Sequence, residues 1–154
     1  MKKKVLLRVL VGTLFLVGTA LILYPTVSNM LAQRNYSVTI DQYDEQVAGM
    51  EAQRKEEELQ KARVYNDSLT GSGIDDPFVS GNGIELSDDY TSVLDFNDEI
   101  MGYIKIPAID VYLPIYHGIS ERVLSVGVGH MENTAFPIGG EGNHAVLTGH
   151  TGLS

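Results

Sequence analysis

The sequence predicts a mainly β domain that follows an N-terminal membrane helix and a charged helical arm. Two stretches, 102–107 and 111–116, alternate apolar and polar side chains as half-buried strands do. An apolar run without charges, 9–24, lies far upstream of them. Between these regions apolar residues recur at three- and four-residue spacing, which is typical of an amphipathic helix. We therefore expect helices in the N-terminal part and a sheet in the C-terminal part.

The charge of the chain is distributed unevenly. Lys2, Lys3, Lys4 and Arg8 place four positive charges in the first eight residues. The remaining residues carry 7 basic and 20 acidic side chains, a net charge of −13. Such an acidic body repels nucleic acid, whose binding depends on phosphate neutralisation, so no nucleic-acid partner is expected. The chain has no cysteine, which excludes disulfides, thiolate metal sites and cysteine nucleophiles within these residues.

The uncharged run from Val9 to Tyr24 is the candidate membrane segment. As a helix its sixteen residues span about 24 Å, at about 1.5 Å per residue. This length falls short of a hydrocarbon core of about 30 Å. Starting the span at Val5 closes the gap, because Arg8 can extend its charged end to the interface.

The basic N-terminus sets the expected orientation of this segment. By the positive-inside rule residues 1–8 stay in the cytoplasm, 9–25 form a transmembrane signal-anchor and the rest of the chain lies outside. A cleaved signal peptide is the competing interpretation. We favour the anchor because no small-x-small cleavage site is evident: Met30 stands two positions before Ala32. Either interpretation exports the body of the protein.

Residues 26–70 are predicted to form an extracytoplasmic helical arm. Thr39 and Gln42 match a capping box that would start a helix, and Gly49 would bend or split it. Two apolar stripes with helical spacing, out of phase with each other, lie before and after this break. Their members are Ile40, Tyr43, Val47 and Met50 in the first, and Leu59, Ala62, Tyr65 and Leu69 in the second.

Residues 71–98 are predicted to form a long loop, because their first part is rich in Gly, Ser, Asp and Asn. Long loops are often lids or linkers. This one contains Asp76-Pro77-Phe78, in which Pro77 restricts the backbone on both sides. By itself the tripeptide favours a plain turn.

Residues 99–154 read as the start of a β domain. The first two strands are joined by a turn around Ala108–Asp110. Pro114 predicts that the second strand lies at an edge or carries a bulge. Ser120 can cap a short helix that runs from Glu121 to about Val126.

A third strand, His144 to Leu147, leads to His150, which stands in Thr148-Gly149-His150-Thr151-Gly152. Three strands leave open edges and a half-covered core. We therefore expect more strands after Ser154, and no cooperative unfolding transition from residues 36–154 alone.

Four stretches of the C-terminal part resemble a known family in their order and spacing. They are Met101-Gly102-Tyr103-Ile104-Lys105-Ile106-Pro107, Leu113-Pro114-Ile115-Tyr116-His117-Gly118, Gly127-Val128-Gly129-His130 and Leu147-Thr148-Gly149-His150-Thr151-Gly152-Leu153. Residues 100–154 resemble the first third of a sortase catalytic domain of the pilus-assembling class C. The upstream Lys61-Ala62-Arg63-Val64-Tyr65-Asn66 also fits this class, so the resemblance covers about residues 36–154.

The resemblance implies a sortase-type β-barrel, of which this chain holds the first three or so strands. It also implies a cysteine transpeptidase that needs no cofactor or metal. In such an enzyme a thiolate attacks an LPxTG-type sorting signal and forms an acyl-enzyme. An amine from a pilin lysine or a cell-wall precursor then resolves it. The implied partners are pilins or surface proteins with sorting signals.

The resemblance also assigns roles to residues of this chain. His150 matches the catalytic histidine, a general acid and base. Asp76, Pro77 and Phe78 match an autoinhibitory lid, whose carboxylate would engage an arginine and whose ring would cover the cysteine. That cysteine and that arginine are expected after Ser154, so the 154 residues are expected to be inactive as they stand.

No catalytic role is expected for the other three histidines. His117 and His130 are expected to cap turns or pack in the structure, and His144 could pair with His150 on a metal only if a third ligand were present. One alternative function stays open, a non-catalytic, membrane-tethered sortase-like module that lacks a cysteine half.

Overall fold

The computed structural model describes residues 2–69, 86–96 and 100–150. The helices of this part are α1 (Lys2–Gly49), α2 (Ala52–Ser68), α3 (Asp88–Thr91) and α4 (Glu121–Leu124). Its strands are β1 (Ile100–Ile106), β2 (Val111–His117), β3 (Val128–His130) and β4 (Leu147–Thr148). A 3₁₀ turn, Pro107–Ile109, joins β1 to β2 where the sequence predicted a turn.

Helix α1 is continuous over 48 residues. The predicted helix start at Thr39 is wrong, because Thr39 lies inside α1 and its hydroxyl donates to the carbonyl oxygen of Asn35 at 3.0 Å. A capping box stabilises free N–H groups at a helix end, and here the preceding turns already satisfy them. Helix α1 does end at Gly49, where the sequence predicted a break.

The N-terminal part of α1 is long and apolar enough to cross a membrane. It is the one such helix in the ranges that the structure describes, with a mean hydropathy of 2.3 in its most apolar window. None of that window is buried against the rest of the chain. Pro25 lies within the helix, where it removes one backbone hydrogen bond. The exact span 9–25 and its orientation stay predictions.

The C-terminal part of α1 packs on the sheet. Ile40 is completely buried. The hydroxyl of Tyr43 donates to the carbonyl oxygen of Met101 in β1 at 3.2 Å. The Tyr43 ring meets Phe96 and Tyr103 edge-on, with centroids 5.7 and 6.1 Å apart. One helix therefore carries the apolar run and also covers the first strand.

The four strands form one mixed sheet in the order β1-β2-β3-β4. Strands β1 and β2 are antiparallel, β2 and β3 are parallel, and β3 and β4 are antiparallel. The parallel pair needs a crossover connection, and the chain between β2 and β3 supplies one that includes α4. The mainly β class thus describes residues 100–150, whose sheet is open and not a closed barrel in the part described.

The strand predictions differ from the structure in three respects. Strand β3 was not predicted, because three residues are too few to show an alternating pattern. The predicted third strand began at His144, whereas β4 begins at Leu147. The β1–β2 pairing carries a register shift, on the β1 side between Ile100 and Gly102, as the bulge alternative allowed, but Pro114 lies in an inner strand rather than at an edge. It is tolerated there because the pairing of β2 with β3 starts only at Ile115.

The main core lies where α2, α3 and the sheet meet. Tyr90 and Phe136 are its largest buried side chains, with rings stacked 5.4 Å apart. The buried members of this core are Ala62, Tyr90, Val93, Leu94, Met101, Ile115, Val128 and Phe136.

Candidate active site

His150 lies two residues after β4 and its side chain is about half exposed, at 47%. Its Nε2 atom is 3.6 Å from the Oε1 atom of Glu121, the first residue of α4. This distance is too long for a hydrogen bond, and the Glu121 side chain is 89% exposed. Such a surface pair contributes about 0–1 kcal/mol and only when the imidazole is protonated. The imidazole is therefore accessible to a reacting group.

Two glycines let β3 lie close enough to β2 to hold β4 and His150 in place. A Cβ atom on Gly129 would lie 2.4 Å from the carbonyl oxygen of Gly118, and one on Gly127 would lie 2.7 Å from that of Pro114. No side chain fits at either position. Gly129 then pairs with Thr148 of β4. The two glycines of the Gly127-Val128-Gly129-His130 motif thus have a structural role.

The loop between β3 and β4 is closed by hydrogen bonds near its base. The Met131 N–H donates to the Val146 carbonyl at 3.0 Å, and the Ala135 N–H donates to the His144 carbonyl at 3.0 Å. The hydroxyl of Thr134 accepts from the Val146 N–H at 3.2 Å. These bonds hold the chain that leads into β4.

The structure separates His150 from the other histidines. His117 and His130 are buried, at 2% and 0% exposure, which confirms their predicted packing roles. Burial lowers the pKa of His130 to about 4, so its ring is neutral near pH 7. His144 is exposed, and no group of three metal-ligating side chains occurs among the described residues.

The Asp76-Pro77-Phe78 motif lies outside the described residues, but the chain on both sides of it is described. On the upstream side Asn66 binds the backbone of Phe136 twice: its Oδ1 accepts from the N–H at 2.7 Å, and its Nδ2 donates to the carbonyl at 3.3 Å. On the downstream side Glu132 accepts from the N–H and the hydroxyl of Ser87, at 3.0 and 2.6 Å.

Both flanks are therefore anchored on one loop segment, 132–136. Sequence reasoning noted Asn66 only as part of a family-like stretch and did not single out Tyr90 or Glu132. The burial of Asn66 and its contact with Phe136, seventy positions away, leave no local signal in the sequence.

Comparison with protein families matches residues 104–154 to the sortase domain. The fold is similar to Streptococcus pneumoniae sortase C-1, with 39% identity, a TM-score of 0.65, and coverage of 75% of this chain and 58% of that one. It is also similar to a structure of Streptococcus pneumoniae sortase C that addresses catalysis and pilin substrate specificity (39% identity, TM-score 0.62, 73% and 55% coverage).

A lid mutant of Streptococcus agalactiae sortase C1 is similar too, with 34% identity, a TM-score of 0.59, and coverage of 74% of this chain and 55% of that one. No curated protein sequence matches the chain. Residues 104–154 thus match the sortase domain, and the chain corresponds in sequence and fold to an N-terminal portion of the class C sortases. It spans little more than half the length of these solved sortases.

Proposed function

We propose that this chain is part of a membrane-anchored class C sortase, a cysteine transpeptidase that cleaves LPxTG-type sorting signals. It would join pilin subunits or attach surface proteins to the cell wall. One observation supports this above all: the sortase domain match includes His150, and the fold presents this imidazole, accessible, just beyond β4. The pilin specificity studied in the pneumococcal relative supports a pilin as substrate.

In the proposed reaction a cysteine thiolate attacks the threonine carbonyl of the sorting signal and releases the amine of the next residue. His150 donates a proton to that leaving amine and later takes one from the incoming amine. The two steps proceed through a thioester acyl-enzyme. The acceptor is a pilin lysine or an amine of a cell-wall precursor.

By the resemblance, the cysteine and the arginine of this mechanism are proposed to lie on later strands of the sortase domain than those that the structure describes. These 154 residues contain no cysteine, so the chain as it stands is proposed to be inactive. If the complete gene encodes no thiol, the alternative function, a non-catalytic membrane-tethered module, replaces the transpeptidase.

The activity test uses the protein encoded by the complete gene and a peptide that carries an LPxTG-type signal. Replacing His150 with Ala should lower the rate of acyl-enzyme formation by about 10²- to 10⁴-fold, the usual contribution of a general acid–base group. His144→Ala is the matched control, because His144 is an exposed histidine six residues away, and it should keep the rate. Equal rates in all three proteins would overturn the role of His150.

We also propose that Asp76, Pro77 and Phe78 form a lid over the active site. The study of a lid mutant in the Streptococcus agalactiae relative supports this assignment. In the complete protein Asp76→Ala and Phe78→Ala should each speed labelling of the active-site thiol by a maleimide reagent. Glu45→Ala, an exposed carboxylate on α1, serves as control. Unchanged labelling in both motif variants would contradict the lid.

The proposed location is the cell membrane, with a single N-terminal pass and the catalytic domain outside. The apolar part of α1 supports the pass, and the basic residues before it support the orientation. Ser125→Cys, in a variant of the complete protein whose active-site cysteine is replaced by Ala, should react with a membrane-impermeant thiol reagent on intact cells. Reaction only after lysis would show that this domain lies on the cytoplasmic side and would contradict the proposed orientation.

A further inference from the structure

A buried cluster of titratable side chains lies apart from His150. Tyr90 of α3 and His130 of β3 are both completely buried. Their rings are stacked 5.7 Å apart, and the Phe136 ring stacks on His130 at 5.1 Å. His117 of β2 meets Tyr90 edge-on at 5.0 Å. The proposed transpeptidase chemistry uses none of these groups.

The hydrogen bonds of the cluster define the protonation state of its central imidazole. The Nε2 atom of His130 lies 2.9 Å from the carbonyl oxygen of Ala135, which can only accept, so Nε2 carries the hydrogen. The Nδ1 atom therefore has a free lone pair, and it faces the hydroxyl of Tyr90 at 2.9 Å. The single hydrogen of this hydroxyl is shared between Nδ1 and the His130 carbonyl oxygen, which lies 2.8 Å away, and the hydroxyl oxygen accepts from the Gly118 N–H at 3.1 Å.

These contacts join two parts of the chain that are distant in sequence. Tyr90 lies in the middle of segment 86–96, which follows the region of the proposed lid. His130 is the last residue of β3 and pairs with Leu147 of β4, three residues before His150. A second bond holds the same segment, because the Nε2 atom of His117 donates to the carbonyl oxygen of Val93 at 2.8 Å. The cluster thus fastens segment 86–96 to the strands that carry His150.

The surroundings of His130 disfavour a positive charge. The titratable groups that face the cluster are Tyr90, His117, Tyr65 and Glu132. Glu132 is held by Ser87, and no described carboxylate bonds to the His130 ring. Tyr65 and Tyr90 are neutral hydroxyls, and His117 adds a second imidazole that opposes protonation. A proton taken from water by Nδ1 would place a cation among aromatic rings without a counter-charge.

We propose that Tyr90 and His130 form an acid-released latch that holds segment 86–96 on the β3–β4 strands. The direction of the pH effect follows from the pKa of His130. This pKa is about 4 in the closed state, with segment 86–96 packed on the strands, against 6.5 for an exposed histidine, as in the open state. The open state binds a proton first as the pH falls, so the latch is stable above about pH 6.5 and weakens down to about pH 4. Any effect of the latch on the activity of His150 rests on the proposed function. The existence of the latch does not depend on that function.

The test is amide hydrogen exchange in the complete protein at pH 7 and pH 5. The informative amides are those of Thr91, Ser92 and Val93, whose hydrogen bonds depend on α3. After correction for intrinsic exchange rates, their opening constant should rise roughly 20-fold at pH 5, as expected from the two pKa values. The amides of α2 provide the internal reference. An opening constant that is equal at both pH values, or an equal rise in α2, would overturn the latch.

Variants separate His130 from other acid-sensitive groups. His130→Gln keeps an N–H donor but cannot titrate, so the 20-fold acid effect should disappear, while the exposed His144→Gln should keep it. Should His130→Gln fail to fold, Tyr90→Phe provides the second measure, because it keeps the ring and removes only the hydroxyl. It should raise exchange of segment 86–96 about 10-fold at pH 7.

An NMR titration of the unaltered protein adds a measure that needs no substitution. The His130 ring should titrate with a midpoint near 4, and a midpoint near that of an exposed histidine would contradict the latch. These readouts do not depend on enzymatic activity, so a failed latch and a failed transpeptidase assignment give different results.

Discussion

Among single residues, Asn66 binds two backbone groups of one distant residue. Its side chain is 7% exposed and bonds both the N–H and the carbonyl of Phe136, seventy positions away. A buried backbone group that loses its partner retains the full cost of desolvation. Asn66 therefore fixes the end of α2 to the loop that precedes β4. The neighbouring Tyr65 assists, because its hydroxyl accepts from the Asn133 N–H at 3.2 Å.

Replacing Asn66 with Ala should lower the free energy of unfolding of the complete protein by about 2–4 kcal/mol, because two buried backbone groups lose their partners. Urea denaturation followed by circular dichroism measures this change. Gln60→Ala is the matched control on the exposed face of α2 and should change stability by less than about 0.5 kcal/mol. A loss below about 1 kcal/mol for Asn66→Ala would show that water replaces the amide.

Gly129 is the second residue whose identity the packing dictates. Gly129→Ala places a Cβ atom 2.4 Å from the backbone oxygen of Gly118, which cannot move aside as a flexible side chain could. We expect a destabilisation of about 2–4 kcal/mol from this overpacking, measured by thermal unfolding. Gly149→Ala meets its nearest atom at 3.7 Å, an ordinary contact, and should cost much less. Equal losses for the two substitutions would contradict the proposed close approach of β3.

Among the elements, α1 combines an exposed apolar part and a part that packs on the sheet in one continuous helix. Its apolar part is exposed along its whole length, whereas its C-terminal part packs on β1 and β2 through Ile40 and Tyr43. No loop separates the two parts, so a continuous helix joins the apolar segment to the part that packs on the sheet.

Ile40→Ala tests the packing of this element. The side chain is completely buried, so its truncation should cost about 2–5 kcal/mol through lost transfer energy and the cavity that remains. Val38→Ala, two residues away and 50% exposed, is the control and should be nearly neutral. Chemical denaturation of the complete protein in detergent gives both values. A small effect at Ile40 would mean that α1 does not hold the sheet.

At the scale of the whole molecule, the described sheet has four strands with β1 and β4 at its two edges. Open edges and a half-covered face make such a sheet a poor independent domain. Residues 36–154 alone should therefore show no cooperative thermal transition by calorimetry. A sharp transition would show that these strands suffice, and the proteins with substitutions could then be studied in this shorter form.

Local features of the sequence were enough to predict much of this protein. The apolar run, the helix end at Gly49, the β1–β2 hairpin, the Ser120 cap and the motif around His150 each depend on neighbouring residues. The Ser120 hydroxyl, for example, accepts from the Val123 N–H at 3.3 Å, as a residue three positions earlier should.

Only the tertiary structure decided the parallel pairing of β2 with β3, the bond from Asn66 to Phe136 and the cluster of Tyr90 with His130. The two side-chain contacts join positions 40 to 70 residues apart, and the pairing of β3 depends on glycines whose need for space is set by another strand. Periodicity and capping patterns depend on interactions within one helical turn or one strand. Contacts between distant backbones depend on how the elements pack, and no local pattern records that.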